Sequence, residues 1–214
     1  MCGRFALHTP IDELVERFSL PGLDFDYSPS YNTAPTQQVL TVLSVEETRS
    51  VAHMRWGLVP PWQKEAQNKP PIINARLETL AEKPTFRRLV NARRCLILAD
   101  GFFEWRREDS TKYPVYITLD PGQPFAFAGL WQNGTTPSCT IVTQEASSLI
   151  KPIHHRMPLI LTPETERVWL SPMPFAQLQA LLPDQEARAF SIHRVSTLVN
   201  SPKNNEAACI VPIA

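Results

Sequence analysis

A cysteine at position 2 differs from every other cysteine once the initiator methionine is trimmed. The chain opens Met1-Cys2-Gly3-Arg4-Phe5, and a small second residue permits that trimming. Cys2 then carries an α-amine and a thiol on adjacent carbons. With solution pKa values of about 8 and about 8.5, both are partly nucleophilic at neutral pH. An aldehyde can condense with the amine to an imine, and the thiol can then close a thiazolidine ring. Most second residues have no such role, so the weight falls on what the rest of the chain supplies.

Several other positions could carry chemistry. Asn74 follows Ile72-Ile73. It reads either as a turn cap or as a fixed neutral donor and acceptor at the edge of a site. Arg76 lies two residues on, so in extended chain it points to the same side and could meet a phosphate. Glu104 lies in Gly101-Phe102-Phe103-Glu104-Trp105. Alternation puts Phe102 and Glu104 on one strand face and Phe103 and Trp105 on the other. A carboxylate among three aromatics is either paired with an arginine or raised in pKa, and a raised value suits acid–base work near neutrality. His154 and His155 precede Arg156. In a strand they would face opposite ways and make a poor metal pair, but one of them could shuttle a proton. Trp62, in a Pro-Pro-Trp loop, either stacks on a base or packs on the domain. His8, His53 and His193 read as structural.

The elements that must position these residues are short. Proline is abundant (21) and glycine scarce (7). Thr9-Pro10-Ile11-Asp12 reads as an N-cap, a proline at the first helical position and an acid, opening a helix over 10–18. Strands are expected at 39–43, 51–56, 95–99, 102–106, 115–119, 125–131, 140–143, 159–161 and 190–195, with helices near 86–90, from Thr162-Pro163 to 170, and over 175–182. Successive strands with helices at the ends predict an α+β fold: one compact domain over 1–214, with a curved, mainly antiparallel β core and short flanking helices.

Composition narrows the function classes. Acidic and basic residues balance at 21 each, so net charge does not advertise a nucleic-acid binder. The pairs Arg87-Arg88, Arg93-Arg94 and Arg106-Arg107 could still form a local basic groove or a solvated face. The start carries no signal-peptide pattern and no apolar run is long enough to span a membrane. Cys2, Cys95, Cys139 and Cys209 are too dispersed for a disulfide framework or a zinc site, which fits a reducing cytosol. Cys95 and Cys139 lie in apolar runs and read as buried thiols.

Taken together, several segments resemble the SOS response-associated peptidase (SRAP) family of abasic-site processing proteins. They are Met1–Phe5, Tyr31–Pro35, Trp56–Pro60, Ile73–Thr79, Ala99–Trp105, Ile141–Thr143, Ile153–Pro158 and Val195–Asn200, in the family's order and across nearly the whole chain. The resemblance implies a compact α+β fold and a covalent bond between Cys2 and the ring-opened aldehyde of an abasic deoxyribose in single-stranded DNA. It implies supporting roles for Asn74, Glu104 and His154, phosphate contacts by Arg4, Arg76 and Arg156, stacking by Trp62, and a channel lined by Pro35 and Thr143. It implies no cofactor or metal, a monomer, and a cytoplasmic protein that joins the nucleoid at damaged DNA. The chain departs from the family at His155, where an acid is frequent, and at Gln63, where some relatives carry a second tryptophan.

The chemistry suggests an order of events. The amine attacks the sugar aldehyde, Glu104 and His154 move protons as water leaves, and the thiol closes the ring, with Asn74 orienting the amine or sulfur. Ring closure removes an imine that would otherwise invite strand cleavage. The same residues leave open an N-terminal-cysteine peptidase or amidohydrolase, or a non-covalent single-strand binder.

Overall fold

The structure, a computed structural model, describes residues 2–22, 27–45, 48–60, 70–119 and 121–213. Trp62 and Gln63 lie outside the described residues. The chain folds into two sheets with short helices. The five-stranded sheet contains β1 (Phe5–Leu7), β2 (Ser30–Thr33), β7 (Gly101–Glu108), β8 (Thr111–Leu119) and β13 (Phe190–Arg194), in the order β13-β8-β7-β1-β2. The eight-stranded sheet contains β3 (Gln38–Val45), β4 (Thr48–Trp56), β5 (Asn74–Arg76), β6 (Arg94–Ala99), β9 (Phe125–Gln132), β10 (Ser138–Glu145), β11 (Arg156–Pro158) and β12 (Ile160–Leu161). Pairing of β10 with both β4 and β9 closes β4, β3, β6, β9 and β10 into a ring. Most pairings are antiparallel; β10 runs parallel to β4 and β5. The α+β expectation is met, and its curved core is this closed ring.

Alternation explains how one strand serves two cores. All of β6 is buried. Leu96 and Leu98 face the helices, with Leu14, Phe18 and Trp169, while Cys95, Ile97 and Ala99 face the five-stranded sheet, with Phe5, Phe102 and Ile117. A third cluster, Phe103, Tyr116, Val195, Val199 and Cys209, covers the outer face of the five-stranded sheet. Gly101 permits that packing, because a Cβ there would lie 2.4 Å from the Tyr116 ring.

The helices are α1 (Ile11–Phe18), α2 (Leu89–Ala92), α3 (Pro163–Leu170) and α4 (Phe175–Leu178), the last continuing as a 3-10 turn to Leu181. Thr162 caps α3 as expected: its hydroxyl accepts from the Thr165 amide at 3.2 Å. The parallel expectation for Thr9 fails. The cap position of α1 is Pro10, with no side-chain cap, and the Thr9 hydroxyl donates to Asp100 at 2.6 Å. A buried carboxylate needs donors, and Asp100 also accepts from the amides of His8 and Thr9. Neither reading of the arginine pairs, basic groove or solvated face, holds for Arg94, which is buried and donates to carbonyls of Val90, Trp169, Ser171 and Met173. Its partner Arg93 lies over the Trp131 ring. No helix among the described residues is long and apolar enough to cross a membrane.

Candidate functional site

Cys2 leads into β1 and is wholly buried in the cluster between the sheets. β1 pairs with β7 through Phe5 opposite Phe102 and Ala6 opposite Gly101. The same register places Gly3 opposite Glu104, one residue from Cys2. Glu104 shares the inward face with Phe102, and Phe103 and Trp105 share the outer one, as alternation requires.

Asn74 opens β5 instead of ending a strand. Its position is fixed from both sides: Ile73 carbonyl accepts from the Trp56 indole at 3.0 Å and from the Ile141 amide at 3.1 Å. The Asn74 side-chain amide donates to the Cys2 carbonyl at 2.9 Å. Its Oδ1 is buried with no hydrogen-bond partner among the described residues. That leaves a buried acceptor on the side chain that holds the Cys2 carbonyl.

His154 and His155 do not lie in a strand. Both precede β11, following a turn in which the His154 amide donates to Ile150 carbonyl. Outside the strand, alternation does not separate them, and their rings stack 4.4 Å apart. His154 Nδ1 lies 2.9 Å from the Arg156 amide and 3.2 Å from the Arg156 carbonyl oxygen. It accepts from the amide in one neutral tautomer and donates to the carbonyl in the other, in which Nε2 is the acceptor nitrogen. No group of three or more potential metal ligands occurs among the described residues.

Burial sets the electrostatics. It pushes the Cys2 thiol well above its ordinary range, and the Glu104 charge pushes the same way. It raises the Glu104 carboxyl, against the positive charges of the untrimmed chain's N-terminal amine and Lys112. It pushes His154 down to about 4, helped by the N-terminal amine and His155. The site therefore holds a protonated thiol, a carboxyl brought toward neutrality and a neutral imidazole. Such a set can pass protons without a full charge change at each step.

The residues expected to meet DNA are placed unequally. Arg76 is exposed at the end of β5, opposite Thr143. Arg4 donates to Asn32 Oδ1 at 2.7 Å and to Val199 carbonyl at 2.6 Å, and lies over Trp105. Pro35 is half-buried just after β2, and Thr143 is buried in β10. Arg156 departs most from a surface phosphate contact. Its two Nη groups engage both oxygens of Glu78, at 2.7 and 2.9 Å, and Nη2 also donates to Thr143 carbonyl at 2.6 Å. Burial alone would raise the Glu78 carboxyl, but the hydrogen bonds and charge of Arg156, together with backbone amides of Glu78 and Glu145, outweigh it and hold it low. Arg156 thus locks the 3-10 turn 77–79 onto β10 and β11, and a phosphate would have to displace Glu78.

Sequence reasoning passed over Glu78, Asp100 and Asn32. Asn32 donates to the carbonyls of Val199, Ser201 and Asn204 while accepting from Arg4. All three lie within or next to the motif segments, which was the available signal; their partners are distant in sequence.

The sequence profile described as SOS response associated peptidase (SRAP) matches residues 1–202. The abasic site processing protein YoqW of Bacillus subtilis (strain 168) is 43% identical, covering 98% of this chain and 99% of its own. YedK of Escherichia coli (strain K12), which carries the same description, is 35% identical over the full length of both. HMCES of Xenopus tropicalis is 33% identical over 87% of this chain and 67% of its own. Among solved structures, a Bacteroides thetaiotaomicron protein superposes with a TM-score of 0.87 at 25% identity, covering both chains fully. A phage-related protein of Bordetella bronchiseptica gives 0.72 at 32% identity, covering 91% of this chain and 94% of its own. The chain belongs to the SOS response associated peptidase (SRAP) family.

Proposed function

We propose that this protein, once Met1 is removed, recognises abasic sites in single-stranded DNA and joins Cys2 to the exposed sugar as a thiazolidine. The names of its relatives support abasic-site processing. The observation that carries the finer reading is the Asn74 amide on the Cys2 carbonyl, with the Glu104 charge acting on the Cys2 thiol and the N-terminal amine acting on both Glu104 and His154.

The Cys2 amine lone pair attacks C1′ of the open-chain aldehyde, and a proton from the Glu104 carboxyl lets the carbinolamine oxygen leave as water. The product is an imine. The thiol then adds across its C=N bond: sulfur bonds to carbon, and the thiol proton ends on nitrogen. A buried S–H is a poor nucleophile by itself, so the amine acts first and the thiol follows within reach of its target. Asn74 Oδ1 would hold the amine, and neutral His154 would accept a proton and return it. An abasic site has no base to unstack, which lowers the cost of access. Arg4 and Arg76 would meet phosphates, Thr143 and Pro35 would line the channel, and Trp62 would stack.

The competing reading, a cysteine peptidase, needs a thiolate. Burial disfavours that state at Cys2. The deciding experiment incubates processed protein with single-stranded DNA bearing one abasic site, with a denaturing gel as readout. A Cys2→Ala protein that still gives the covalent band would sink the proposal, and so would peptide turnover without any DNA adduct.

A further inference from the structure

β7 runs on past Glu104 to Glu108. The β7–β8 register sets Glu104 opposite Val115 and Arg106 opposite Tyr113, and the β8–β13 register sets Val115 opposite Arg194. Directly opposed residues share a sheet face, and the face alternates along each strand. Arg106, Tyr113 and Arg194 therefore lie on the face that carries Glu104. The Tyr113 ring packs against the cluster between the sheets. The Arg194 guanidinium lies over that ring, 4.5 Å from its centre. A core-anchored ring thus holds an exposed cation in place.

Arg106 is 44% exposed, and its ion-pair partner Glu108 is 61% exposed at 3.9 Å. A pair that open and that long contributes little and yields readily to another anion. The step from Glu104 to Arg106 along the strand is about 7 Å, and neighbouring strands lie about 4.8 Å apart. The cations therefore begin roughly two stacked nucleotides from the carboxyl, at about 3.4 Å each. The charge of Lys112, near the tip of the same hairpin, is felt at both Glu104 and His154, so this end of the hairpin lies within electrostatic reach of the site.

We propose that Arg106 and Arg194, with Tyr113 fixing Arg194, form a row that binds the phosphate backbone of the DNA strand as it leaves the abasic site. The row extends the function proposed above and rests on it. It reads backbone and not bases, so its contribution is independent of sequence and sensitive to salt.

The test measures affinity for an intact single-stranded oligonucleotide across a salt series, in wild type and in Arg106→Gln/Arg194→Gln. Loss of two phosphate contacts should flatten the plot of log K against log salt by about 1.4 units, at about 0.7 per contact on single strands. Tyr113→Phe should bind as wild type, and Tyr113→Ala should reproduce Arg194→Gln. A cross-linking assay runs beside it. There the double variant should match wild type on an abasic strand trimmed to one flanking nucleotide on each side, and fall behind at limiting protein on a long one. An unchanged salt slope, with wild type still cross-linking, overturns the row. A flattened slope with no wild-type adduct upholds the row and removes the thiazolidine. The glutamine variants alter exposed positions, so they decide the matter even if Tyr113→Ala fails to fold.

Discussion

Cys2 and Cys139 occupy the same apolar cluster, both wholly buried, and burial raises both thiols far above their ordinary range. Cys139 sits near the start of β10. Cys2 stands where β1 meets β5 and β7, with a side-chain amide on its carbonyl and a carboxylate and an imidazole nearby. Under the proposed function, the difference teaches that neither exposure nor a low thiol pKa marks the reactive cysteine. What sets it apart is an adjacent amine, available only at a chain terminus, and polar groups able to move that amine's protons.

The sharpest way to break this comparison is to exchange what the two cysteines have. Cys2→Ala should abolish the covalent DNA band on a denaturing gel, as should any untrimmed residue ahead of Cys2. Cys139→Ala should keep the band and cost about 1 kcal/mol in a denaturant melt, as small core truncations do. A Cys139→Ala protein without the band, yet folded, would contradict the contrast.

Next in size is Glu104→Gln. It keeps shape and hydrogen bonding but removes the transferable proton, so cross-linking should slow by about a hundredfold or more. Single-turnover kinetics would read this directly. Asn74→Ala removes one donor and one acceptor beside Cys2, and a drop of about tenfold is expected, in line with one hydrogen bond. An Asn74→Ala protein with the wild-type rate would show that the amide serves folding alone.

Arg156 tests the structural side. Arg156→Ala should lower stability by about 2 kcal/mol, through loss of charge-assisted bonds to Glu78 and Thr143. Glu78→Gln should lower it less while freeing the guanidinium. Tighter DNA binding by Glu78→Gln in a titration would reveal Arg156 as a phosphate ligand held in check.

The smallest effect is protonation of His154. Its pKa in the fold is about 4, below the ordinary value of 6.5, so between those values the unfolded chain binds the extra proton. Stability from this group is fully present above about pH 6.5 and is lost as pH falls toward 4. NMR titration of the ring should give a midpoint near 4. A midpoint near 6.5 would mean that the ring is solvated and that its neutral state is not built in.

How much was legible depended on how local the cause was. The Thr162-Pro163 start of α3 was readable because its capping partner, Thr165, is three residues away. The same pattern at Thr9 misled, because Asp100, distant in sequence, claimed the hydroxyl. Long apolar strands such as β6 and β9 showed plainly, whereas β1, β2 and β5, at three or four residues each, carry too little periodicity to read alone. Arg94 and Arg156 looked like surface charge, and only packing revealed that carbonyls and Glu78 hold them inside.

The sequence by itself determined that Cys2 at a trimmed terminus would be an aminothiol, since that is a covalent property of the chain. It also determined which face of β7 carries Glu104, because alternation is built into the extended chain. Only the tertiary structure decided that Asn74, from a strand that runs parallel to β10, reaches the Cys2 carbonyl, and that His154 presents a neutral ring. Those contacts join residues far apart in sequence, and the burial that shifts their protons exists only once the two sheets close over them.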